Sequence, residues 1–62
     1  MAQKRQYPEK LLIRIVRDTK TIDDLVNVCA LYKDLEMQGD ITVTHRINKT
    51  VRMHQFYLIQ NF

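Results

Sequence analysis

Ile41-Thr-Val-Thr-His-Arg-Ile47 and Val51-Arg-Met-His-Gln-Phe-Tyr-Leu-Ile59, joined by Asn48-Lys49-Thr50, are rich in β-branched and aromatic residues. Such side chains suit a pleated, half-buried surface and Asn-Lys-Thr supplies turn chemistry, so the segment reads as a β-hairpin. A one-residue slip inverts a strand's pattern, and the loop length therefore decides which side chains share a face. A three-residue loop pairs Ile47 with Val51, His45 with Met53, Val43 with Gln55 and Ile41 with Tyr57, which gathers most β-branched residues on one side. A two-residue turn at Asn48-Lys49 would mix polar and apolar residues on both faces, and the three-residue register is preferred. It leaves Thr42, Thr44, Arg46, Arg52, His54, Phe56 and Leu58 on the opposite face.

Immediately before the hairpin, residues 21–39 carry an amphipathic helix with both ends marked. Thr21 and Asp24 have the spacing of a capping box, and Asp23 with Asp24 suits the positive end of the helix dipole. Gly39 is placed to close the helix in a left-handed conformation, with Gln38 as the last helical residue. Leu25, Val28, Cys29, Tyr32 and Leu35 recur at three- and four-residue spacing, widened by Ile22 and Val26 on one side and Leu31 on the other.

Further towards the start, Leu11, Ile13 and Ile15 alternate with Leu12, Arg14 and Val16, so residues 10–17 read as a first strand with Pro8 at its edge. Strand, helix, strand, strand is then the order. A helical crossover sets the first two strands parallel, and the third, antiparallel, lies between them. The predicted fold class is α+β: a two-layer β-α-β-β domain whose three-stranded mixed sheet has order 1-3-2 and one helix on one face. Residues 1–7 are read as a basic, flexible lead with Lys4 and Arg5, and 8–62 as a single domain.

Sixty-two residues bury a small core, about 60% of the surface exposed when unfolded, and such chains commonly need a staple. One cysteine closes no internal bridge, and no Cys/His group has zinc spacing, which leaves oligomerisation as the expected support. No run approaches a membrane span and no apolar signal core is present, so a cytoplasmic location is expected, with no membrane contact. The charge of +3 is unevenly spread: residues 1–20 hold six Lys/Arg against two acids, 21–40 one against five, and 41–62 three against none.

Catalytic constellations are missing from this pattern. Gly39 is the single glycine, so no phosphate-cradling loop exists. Cys29 with His45 is the one nucleophile–base pair that can be drawn, but Cys29 belongs to the apolar stripe, where cysteine acts as a small hydrophobe. His45 and His54 fall on different faces and are read as one partly buried and one exposed histidine rather than metal ligands. The expectation is a non-enzyme with no catalytic residue, no metal, no cofactor and no small-molecule substrate.

Two surfaces of the expected sheet stand out instead. Arg46 and Arg52 face one another on the hairpin, and Arg14 points the same way; with Lys49 and His54 they form a candidate anion or partner site. Leu12, Val16, Phe56 and Leu58, extended by Phe62, form an apolar patch that is the candidate oligomer interface. A homodimer that binds a macromolecular partner, with protein favoured over nucleic acid, is the first functional expectation. A nucleic-acid binder using the basic open face of the sheet is the second.

Overall fold

The helix expected over 21–39 forms as α2 (Ile22–Gln38). The Thr21 hydroxyl accepts from the Asp24 amide at 3.1 Å, which provides half of the capping box. At the far end Gly39 has φ 81, its amide donates to the Glu36 carbonyl and the Asp40 amide donates to that of Leu35. That pair of bonds is a Schellman closure. Leu25 and Tyr32 are buried, and Ile22, Val28, Cys29 and Leu35 pack against them, whereas Val26 and Leu31, at the margins of the stripe, are exposed.

The computed structural model describes residues 6–60, and its other elements correct the expected fold. Two further helices, α1 (Glu9–Asp18) and α3 (His45–Gln60), stand where strands were predicted. No residue among those described lies in a strand. The β-α-β-β sheet, its 1-3-2 order and the hairpin register are therefore all replaced by a three-helix bundle.

In α1 the apolar run turns with a period near four instead of alternating. Leu12 is 3% and Val16 0% exposed, while Leu11 and Ile15, on the wholly apolar face of the expected strand, remain 40% and 38% exposed. Pro8 starts this helix rather than edging a strand. Its fixed φ suits the position, and its carbonyl accepts from the amides of Leu11 and Leu12. Thr19 stops it, with both its amide and its hydroxyl donating to the Val16 carbonyl.

The segment 45–60 turns in the same way. Ile47, Val51, His54 and Leu58, spaced four, three and four apart, face inward, with Ile47 and Leu58 buried. Asn48-Lys49-Thr50, expected as the hairpin loop, lies within the helix, and the Thr50 hydroxyl donates back to the Arg46 carbonyl at 2.9 Å. Thr44 is the cap: its carbonyl accepts from the Asn48 amide and its hydroxyl accepts from the Ile47 amide. Core packing outweighs the β preference of the Ile, Thr and Val residues, whose helical penalty is only some tenths of a kcal/mol each.

Three long-range bonds fix the directions. Thr44 at the start of α3 donates to Glu9 at the start of α1, and His54 Nε2 meets the Thr19 carbonyl at the end of α1 at 2.8 Å. Hence α1 and α3 run the same way. Returning between them, α2 sends the Tyr32 hydroxyl to the Leu12 carbonyl at 2.8 Å. The connection from α2 to α3 is pinned by buried Ile41 and by the Val43 amide donating to the Glu36 carboxylate. Residues 1–5 of the expected basic lead, and Phe62 of the expected interface, lie outside the described residues.

Candidate partner-binding surface of helix α3

The outward face of α3 follows directly from its inward one. His45, Lys49, Arg52 and Phe56 repeat the four-three-four spacing of the core stripe two residues earlier, which places them about 200° round the helix, opposite the core. All four are exposed. Within α3 there are three Lys/Arg and no acid, and the cations occupy the first half. The second half carries exposed Met53, Phe56, Tyr57 and Ile59, with Phe56 62% accessible. The helix is thus divided lengthwise into a cationic part and an apolar part.

Its first turn is tied to α1 by an acid that α3 itself lacks. The Glu9 carboxylate accepts from the Thr44 hydroxyl at 2.7 Å and meets Arg46 Nη1 at 3.4 Å. Cations near a helix start oppose the dipole, and Glu9 offsets this from outside the helix. The ion pair itself is open to water, with Arg46 76% exposed, so its own contribution is below about 1 kcal/mol.

Of the expected anion site, Arg46, Lys49 and Arg52 share α3, and Arg14 lies exposed on α1. The facing of Arg46 and Arg52 disappears with the hairpin: six residues apart on one helix, they are separated by about 9 Å along the axis and lie on different sides. His54 is turned inward. Because a carbonyl faces it, Nε2 is the protonated nitrogen, and the ring stacks on Tyr57 with centroids 5.7 Å apart.

The expected interface residues divide differently. Leu12, Val16 and Leu58 belong to the molecule's own core, and Phe56 alone among the described members of that set faces solvent. The sheet face that was to hold them together does not exist.

Two cations passed over at the sequence level join the surface. Lys10, Arg14 and Arg17 recur at four and three residues along α1, and all are exposed. Arg17 lines a groove between the helices together with Ile13, Thr50, Met53, His54 and Tyr57. Helical periodicity would have revealed this row, but strand alternation scattered it. The α1 and α3 side of the bundle bears six cations against two acids, Glu9 and Asp18, while α2 bears Lys33 against Asp23, Asp24, Asp34 and Glu36.

The remaining chemistry is muted. Burial pushes the Cys29 thiol upward, away from thiolate, and His45 stands exposed at the beginning of α3. Among the described residues no group of three or more His, Cys, Asp or Glu is arranged to hold a metal ion. No helix of the described residues is long and apolar enough to cross a membrane. Comparison with protein families, with curated proteins and with solved structures gives no match.

Proposed function

We propose that this chain is a small non-enzymatic binding protein that works as a homodimer and acts by occupying a macromolecular partner through α3. The lengthwise division of α3 carries the proposal: a cationic, acid-free first half for the partner, and an apolar second half for the second subunit. His54 brings the joint between α1 and α2 beside the last third of α3, so exposed Val26 near the start of α2 lies at the same end of the bundle as Phe56 and Ile59. Exposed apolar side chains gathered at one end of a small domain are a common mark of an interface. These exposed residues form the proposed interface, since Leu12, Val16 and Leu58 are buried in the core of the chain itself.

A cytoplasmic location is part of the same proposal. Sedimentation of the full chain at micromolar concentration tests the assembly. A dimer is expected, and Phe56→Ser with Ile59→Ser should return it to a folded monomer. A wild-type chain that sediments as a monomer would end the homodimer proposal.

A further inference from the structure

We infer that the partner taken by the cationic half of α3 is double-stranded DNA, with the basic row of α1 holding flanking phosphates; this rests on the reading of α3 as the working surface. Three observations converge. First, charge is sorted by helix: Lys10, Arg14, Arg17, Arg46, Lys49 and Arg52 lie on the paired helices α1 and α3, while α2 holds four of the acids. A polyanion is the complement of such a pair, and its phosphates supply most of the affinity when it is nucleic acid.

Second, the residue types on the outward face of α3 can do more than neutralise. Asn48, Lys49, Arg52 and Gln55 are all exposed and fall within one arc of the helix around His45. Asn and Gln amides match adenine edges, and Lys and Arg match guanine edges. An acidic protein surface would use the cations but would have no evident need for the amides between them.

Third, the dimensions favour DNA over RNA. A helix about 10–12 Å across fits the B-form major groove, about 12 Å wide, whereas the A-form major groove is too narrow for side chains to read. In helix-reading proteins the first turns of the inserted helix meet the bases, and here those turns carry the cations while the apolar half is left outside for the second subunit. Single strands call for bases stacked on aromatic faces along the cationic track, but the cationic first half of α3 carries no Phe or Tyr: Phe56 and Tyr57 lie in the apolar half, and Tyr57 has the His54 ring stacked against it.

The test uses the full chain and a short fluorescently labelled DNA duplex of mixed sequence, with anisotropy followed across a salt series. The same measurement is made with the corresponding single strand and with poly-glutamate as competitors. Binding to the duplex is expected to weaken steeply as salt rises. Lys49→Gln with Arg52→Gln should lower affinity about tenfold at low salt and make the log–log salt slope shallower by roughly two, since each lost phosphate contact removes about 0.9. Both residues are exposed, and an unchanged far-UV circular dichroism spectrum confirms that the variant is folded. Lys33→Gln, which removes a cation from α2, should leave the slope unchanged.

Absence of duplex binding at low salt overturns the inference. So does competition by poly-glutamate or the single strand as strong as that by unlabelled duplex, or a salt slope indifferent to the double substitution. A sedimenting dimer that ignores DNA would remove this inference and leave the binding-protein proposal in place; a monomer that binds the duplex through Lys49 and Arg52 would keep this inference and remove only the homodimer part of that proposal.

Discussion

Gly39 holds φ 81, and a Cβ built on it would meet nothing within 4 Å. The demand for glycine is therefore conformational rather than steric. Gly39→Ala should lower stability by about 1 kcal/mol in urea denaturation, and Gly39→Asn by less, because asparagine tolerates the left-handed region. Tyr32 and Cys29 give a second residue-level expectation. Burial raises the phenol of Tyr32, with the neighbouring thiol adding to it, and burial raises the thiol of Cys29. Both are acids with folded values above ordinary ones, so as pH rises the unfolded chain loses these protons first. Their effect on stability is nil at neutral pH and becomes a loss once pH climbs through the unfolded values, roughly 8.5 for a thiol and 10 for a phenol. The urea midpoint should accordingly fall between pH 8 and pH 11, and Cys29→Ala should flatten the earlier part of that decline. A midpoint that rises over this interval would contradict the burial of both groups.

Among the elements, α2 was legible because its information is local: Thr21 caps it, Gly39 closes it and Leu25, Cys29 and Tyr32 set its period. The other two helices announce themselves less clearly. In α1 the run Leu11 to Val16 is almost all apolar, so strand and helix periods fit it equally, and the deciding feature is the polar row Lys10, Arg14, Arg17. In α3 the β-branched residues outweighed the spacing of Ile47, Val51 and Leu58, and its cap offered no acid three residues on. That acid comes from α1, as Glu9, which no reading confined to α3 could supply. The candidate site shared this fate: Arg14, Arg46, Lys49 and Arg52 could be named from the sequence, but their arrangement depended on the elements. If Glu9 and Thr44 act together at the start of α3, Thr44→Ala should cost about 1 kcal/mol through the lost cap. Glu9→Gln should cost less, and the double variant should cost less than the two singles combined. Strict additivity in urea denaturation would mean that the Thr44–Glu9 bond contributes nothing to holding α3.

At the scale of the molecule, stability rests on a narrow base. Among the described residues seven hydrophobic ones are buried, whereas ten large ones remain exposed, Met53, Phe56, Tyr57 and Ile59 of α3 among them. A domain of this length is expected to hold on the order of 3–9 kcal/mol in total, so burial of even part of the exposed set in a second subunit would be a large fraction of it. Folding and assembly are then linked by mass action, and Tm becomes a function of protein concentration. For a dimer that unfolds to two chains, a tenfold dilution removes about 0.7 kcal/mol per chain. With an unfolding entropy near 2.1 cal/mol/K per residue, that corresponds to a drop of roughly 5 °C in Tm. Phe56→Ser should lower Tm at high concentration and abolish its dependence on dilution, because the variant unfolds from a monomer. Ile47→Ala, which empties a buried position, should instead cost about 2–5 kcal/mol and shift the whole curve downward with its concentration dependence retained, provided the folded state is still populated. The two substitutions thus separate the core from the interface, and a wild-type Tm that ignores dilution across the micromolar range would assign Phe56 to some other surface than a second copy of this chain.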